Sequence, residues 1–236
     1  MAIASRFWTY LELKTKVEQE CDLEGEIFVQ PSEMLGFCNE AIDNAEKIVK
    51  NTYADYFLDK DQLALTAGSS DVALPSRIYA NKIRRITYKN TSGRIYTLSR
   101  LKDWKKFEAY EEEQAAGGTA GELRYLILNQ TAGAPKIVFT RPASAEDAAA
   151  TVTCWFIRQA NRLTVDADIM DIPEAANYVT QYMKFKAFAK EGNPLLGLVV
   201  SQLNSEEESL QADLAEMVPD ADDELEMDKS FYEDMA

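Results

Sequence analysis

Thr151-Val-Thr-Cys-Trp-Phe-Ile157, followed by Leu163 and then by Asp171-Ile172-Pro173-Glu174, is the stretch on which the architecture turns. Its first part is dense in branched and aromatic residues and reads as a strand. Its last part sets a proline and an acid at the opening of a helix, where both are favoured. Moving back from it, short strands recur as far as about Leu63, separated by turn-rich segments. Before them and after them the apolar spacing is helical. The order helices, strands, helices and acidic tail predicts an α+β protein. It is a helical bundle with an inserted antiparallel β-sandwich or barrel and an extended acidic C-terminal arm. The expected divisions are 1–58 and 166–218 for the bundle helices, 59–165 for the β domain and 219–236 for the arm.

The helical parts are written in their stripes. Tyr10, Leu13 and Val17 share one face of a first helix over 9–21. Pro31-Ser-Glu33 opens a second, whose stripe Met34/Leu35, Cys38, Ala41/Ile42, Ala45, Ile48/Val49 and Tyr53 runs for five turns. Glu40, Asp43, Glu46, Lys47 and Lys50 are expected on its solvated side. Pro173 to Lys190 forms another helix, stopped by Gly192-Asn-Pro194, and Leu195 to Met217 one more.

Between these, Gln62–Thr66, Asp71–Pro75, Lys82–Lys89, Arg94–Leu98, Leu123–Leu128, Lys136–Thr140 and Thr151–Ile157 read as strands. Asn90-Thr-Ser-Gly93 is a hairpin turn, and 102–114 is a short helix carrying Trp104, Phe107 and Tyr110. The glycines of 115–121 mark a loop.

Composition removes whole classes of chemistry. The chain has no histidine, which excludes Ser-His and Cys-His nucleophile devices and most zinc sites. Its cysteines, Cys21, Cys38 and Cys154, are odd in number and far apart, which favours reduced thiols and an intracellular synthesis compartment over a disulfide framework. The longest apolar run, near Leu195–Val200, is too short for a bilayer, and 1–6 lacks the pattern of a secretion signal. No cofactor or metal is expected. Asp166, Asp168 and Asp171 lie close together but match no calcium loop, and an Asp-rich turn ahead of the next helix accounts for them. Gly117-Gly-Thr-Ala-Gly121 lacks the lysine of a phosphate cradle.

The net charge of −15 is unevenly distributed. From Arg77 to Lys106 the bases Arg77, Lys82, Arg84, Arg85, Lys89, Arg94 and those that follow face a single acid, Asp103. From Glu206 onward only Lys229 is positive. Tyr79, Tyr88, Tyr96 and Trp104 interleave with the bases, a pattern that can stack nucleobases and hold phosphates. A nucleic-acid-binding module is therefore one reading. The other has the aromatics packed inward and the cations turned to solvent, or to the acidic tail of a neighbouring subunit. The acidity of the whole chain favours the second.

In order along the chain, Thr66-Ala-Gly-Ser-Ser-Asp-Val-Ala-Leu-Pro75, Gly121-Glu-Leu-Arg-Tyr125, Lys136-Ile-Val-Phe-Thr-Arg-Pro-Ala143, Thr153-Cys-Trp-Phe-Ile157 and 163–174 resemble the head-to-tail adaptors (connector ring, neck) of tailed bacteriophages. The resemblance covers roughly 5–195. It implies a non-enzymatic virion protein of the neck, forming a homo-oligomeric ring, usually of twelve, on the portal. Such a ring extends the DNA channel without specific DNA binding and presents a docking surface to tail or tail-tube proteins. It also implies that the C-terminal segment reaches the portal, with Leu225, Met227, Phe231, Tyr232 and Met235 as docking anchors. Trp104, Phe107, Arg84 and Arg85 are the candidates for subunit or tail contacts, tryptophan being a frequent interface anchor.

Overall fold

The computed structural model describes residues 7–22, 28–115, 123–128 and 135–218. The chain divides into two compact units: a helical one built from both ends of the chain, and a β unit spanning Phe57–Gln159.

In the helical unit, α1 (Tyr10–Glu20) starts from a capping box in which Thr9 and Glu12 exchange backbone and side-chain hydrogen bonds. Two residues past its end, Asp22 turns the chain with a φ of 54°, in the left-handed region. The second helix, α2 (Pro31–Thr52), opens on the expected proline, and Glu33 reaches back to the Gln30 N–H at 2.8 Å. Its buried stripe of Met34, Cys38, Ala41, Ile42, Ala45 and Val49 is the one the spacing predicts. These two helices pack on each other; α1 also packs on the first of the two C-terminal helices, and α2 on both. The 3-10 turn Pro173–Ala175 leads into a helix that ends at Gly192, where a φ of 71° suits a residue without a side chain. The last helix is Leu196–Glu216.

One face of α2 departs from the sequence reading. Glu46 and Lys50, expected in solvent, are only 8% and 6% exposed. The Lys50 ammonium donates to Glu46 Oε1 at 2.7 Å, and the same oxygen accepts the backbone N–H of Ala160 at 2.6 Å. One turn further toward the start of α2, Asp43 pairs with Arg162. Asn39 then both donates to the Leu163 carbonyl and accepts its N–H, each at 2.9 Å. The chain returning from the β unit thus lies along α2 and covers what periodicity alone leaves open. The segment beyond it ties down α1: the N–H groups of Tyr10 and Leu11 donate to the carbonyls of Asp168 and Asp166.

The β unit holds two four-stranded sheets. One has the order β1 (Leu58–Leu63), β8 (Thr151–Arg158), β3 (Ile78–Lys89), β4 (Ile95–Thr97). The other has the order β2 (Asp71–Ala73), β7 (Lys136–Phe139), β6 (Arg124–Leu128), β5 (Ser99–Arg100). Their inner faces share one core, with Ile86, Val152, Cys154 and Phe156 from the first sheet and Tyr125, Ile137 and Phe139 from the second. The sheets do not close, so the barrel alternative is corrected to two open layers. The pairing is antiparallel except between β5 and β6, which are joined through α3 (Trp104–Ala115), the crossover that a parallel pair requires. The first strand begins four residues earlier than its branched residues suggest, because Leu58 to Leu63 pair with Ile157 to Val152.

A helical turn that the sequence reading passed over, α4 (Ala145–Ala149), is fixed by a polar knot. Asp147, 4% exposed, accepts from Arg141 at 2.5 Å, from the Ser144 N–H and hydroxyl at 2.8 Å each, and from the Tyr88 hydroxyl at 3.0 Å. Burial alone would raise its pKa, but the bonds from Arg141, Ser144 and Tyr88 hold it well below the usual carboxylate range.

Two stability predictions follow from these buried charges. Lys50→Met leaves Glu46 buried without its cation and costs roughly 3 kcal/mol, read from the helical signal in urea unfolding; changing both residues to apolar ones recovers part of the loss. Asp147 has a depressed folded pKa, so its contribution is complete at neutral pH. It begins to fall below about pH 4, where the unfolded carboxyl protonates, and vanishes only once the folded carboxyl itself titrates. Asp147→Asn costs about 3 kcal/mol at pH 7 and flattens the acid limb of stability against pH; an unchanged acid limb would refute the assignment.

Candidate functional site

The outward face of the β1–β8–β3–β4 sheet carries a cross-strand row fixed by register: Lys60 opposite Trp155, and Trp155 opposite Arg85. Strand alternation sends the neighbours Cys154 and Phe156 into the core, which turns Trp155 outward. The Lys60 ammonium and the Arg85 guanidinium lie 5.4 and 6.0 Å from the centre of its indole ring. The next row is Gln62, Thr153, Thr87 and Thr97. An open depression of about 470 Å³ lies here, lined by Lys60, Gln62, Arg85, Thr87, Thr153 and Trp155, together with Asp61 and Ile95.

Arg84 and Arg85 are both exposed, which consecutive residues of a regular strand cannot be with respect to one face. The register between β3 and β8 shifts between Ile83 and Arg85, so two residues of β3 oppose one of β8. A second shift, between Ile78 and Ile83, coincides with positive φ at Ala80 and Asn81. Bulges of this kind bend a strand and re-aim its side chains.

The other predicted contact residues lie elsewhere in the β unit. Trp104, 46% exposed, stacks on Phe107 with ring centres 5.3 Å apart, and its indole N–H donates to Glu108. Phe107 is 1% exposed and belongs to the interior, where it supports the tryptophan. Leu225, Met227, Phe231, Tyr232 and Met235 fall outside the described residues.

The four aromatics interleaved with the basic block do not form one stacking surface. Tyr79 lies under the Lys82 ammonium, and Trp104 is occupied by Phe107. Tyr88 is turned to Asp147, and burial together with that contact pushes its hydroxyl up to about 12. Tyr96, its cross-strand neighbour, is exposed on the edge strand β4. The aromatic that does lie among cations is Trp155, which the sequence places in a strand but cannot put in register with Lys60.

Two of the three aspartates serve the backbone with their carboxylates, and Asp166 accepts the Leu11 N–H through its main-chain carbonyl. Asp168 accepts the N–H groups of Thr164 and Val165 and the Thr164 hydroxyl, which together lower its pKa, and Asp171 accepts the Asn161 N–H. Among the described residues no acid or cysteine group is arranged to hold a metal ion, and no helix is long and apolar enough to cross a membrane.

Over residues 8–228 the chain matches the family model described as SU10 adaptor protein. It belongs to that family, a family of phage head-to-tail adaptors whose members are structural proteins. No curated protein matches it.

The stacked pair gives an asymmetric mutational expectation. Phe107→Ala opens a cavity in the β unit and costs about 3 kcal/mol or more. Trp104→Ala loses mainly the ring stack, roughly 1 kcal/mol, and leaves the far-ultraviolet circular dichroism unchanged. Equal losses in denaturant titrations would place Trp104 in the core.

Proposed function

Starting from membership of the SU10 adaptor family, we propose that this protein forms a ring on the portal in the virion neck. The ring extends the DNA channel and presents the docking surface for the tail. The observation that carries this reading is the extent of the family match, which runs through both the helical and the β unit and not through a shared sub-domain alone. The chain's charge supports it. At −15 a ring of copies repels the phosphates passing through it, and tight phosphate contacts would hold the DNA back. The exposed Trp104 ring, with Arg84 and Arg85 raised by the bulge, is suited to contacts with a neighbouring subunit or with the tail.

The test is electron microscopy of the full chain mixed with the portal of its own virus, viewed down the ring axis. An added annulus with the portal's symmetry is expected. An intact portal without added density, beside folded protein, would overturn the reading.

A further inference from the structure

Most cations in ion pairs lie away from the Trp155 face; in the β unit Lys136, Arg141 and Arg158 pair with Asp71, Asp147 and Asp59. In the helical unit Lys50, Arg162, Lys184, Lys186 and Lys190 each reach a carboxylate, those of Glu46, Asp43, Glu20, Glu40 and Glu33. On the outward β1–β8–β3–β4 sheet, neither Lys60 nor Arg85 pairs with a carboxylate among the described residues. The same holds for Lys82, Lys89 and Arg94 of that sheet. The one acid lining the depression, Asp61, accepts the backbone N–H of Gln62. A strongly acidic chain therefore leaves Lys60 and Arg85 without an ion pair among the described residues on either side of a partly exposed tryptophan.

The same chain carries the matching chemistry. The last described helix ends at Glu216, and from Asp220 to Asp234 every charged residue but Lys229 is acidic. Phe231 and Tyr232 stand directly before Glu233 and Asp234, so aromatic and acidic side chains come together in one short segment. Carboxylates pair with lysine and arginine, and an aromatic ring can stack on or against an exposed indole.

We propose that the Trp155 face is the docking site for segment 219–236 of a second copy of this chain. The acids of that segment pair with Lys60 and Arg85, and Phe231 or Tyr232 seats against Trp155. This rests on the ring reading above: a face on one copy and a segment on the next form a heterologous contact, the kind that closes into a ring. It assigns the segment to a neighbour, where the family resemblance implies the portal. The gain from such exposed pairs is electrostatic and falls with added salt.

The experiment uses full-length protein in which p-benzoylphenylalanine replaces Phe231, mixed with isotopically heavy full-length protein, with and without portal. After irradiation, mass spectrometry identifies the crosslinked peptides. Crosslinks from residue 231 to heavy-chain peptides containing Lys60, Arg85 or Trp155 are expected. Their yield should fall roughly tenfold when the heavy chain carries Lys60→Glu and Arg85→Glu, and should recover when the light chain carries Glu233→Lys and Asp234→Lys. Crosslinks confined to the light chain, crosslinks to the portal, an insensitive yield, or none at all would each overturn the docking site. Portal crosslinks beside an intact annulus in the microscope would overturn it while leaving the ring reading in place.

Discussion

The helical unit depends on how one irregular stretch of backbone is satisfied. The chain that leaves α2 returns at 160–163 without a sheet ladder, and buried N–H and C=O groups must find partners. Helix α2 supplies two of them, Asn39 to Leu163 and Glu46 to Ala160, while Asp43 holds the Arg162 side chain and Lys50 holds Glu46; the spacing of four, three and four places all four side chains on one stripe. Asn39 meets both the N–H and the carbonyl of Leu163 because an amide carries a donor and an acceptor together; an aspartate there would keep only half of that. Glu46 accepts from Ala160 as an anion and tolerates burial because Lys50 is beside it. Once 160–163 is fixed, Asp168 and Asp171 fold the following turn, and that turn holds the start of α1. The polar face of α2 is thus as structural as its apolar one.

In the β unit the corresponding constraint is the irregularity of β3. A continuous strand from Ile78 to Lys89 would alternate strictly and send one of Arg84 and Arg85 toward the core, where an arginine is costly. The shift at Ile83–Arg85 leaves Ile86 buried and both arginines out. It also sets Arg85, and no other base of the block, opposite Trp155. The bulge is therefore what converts a run of basic residues into a specific cationic face.

What could be read from the sequence was what local rules determine. The second helix begins at its proline, the hairpin turns at Asn90–Gly93, and the helix after Pro173–Ala175 stops at Gly192, all where short-range signals place them. What could not be read was set by partners distant in sequence. Glu46 and Lys50 look solvated by period and are buried by a segment more than a hundred residues away. The α4 turn has only five residues, too few for periodicity, and its capping pair Ser144–Asp147 was the available signal. Phe107 and Trp104 sit three apart on one short helix and nothing in their spacing says which is inside; the stack on the core decides it. At the candidate face the bases and the tryptophan were legible only separately, and register joins them.

Charge ties these features to assembly. Copies carrying −15 each repel one another, so self-association needs either large apolar contacts or a local reversal of sign. The helical unit spends most of its cations internally, which leaves it acidic outside its own ion pairs. The β sheet holds its cations in reserve around Trp155. In the docking proposed above, another copy would be attracted only with its acidic segment toward the cationic sheet, and repelled in other orientations. Orientation selected by repulsion would suit the ring proposed above, where subunits add in register and random aggregation is avoided.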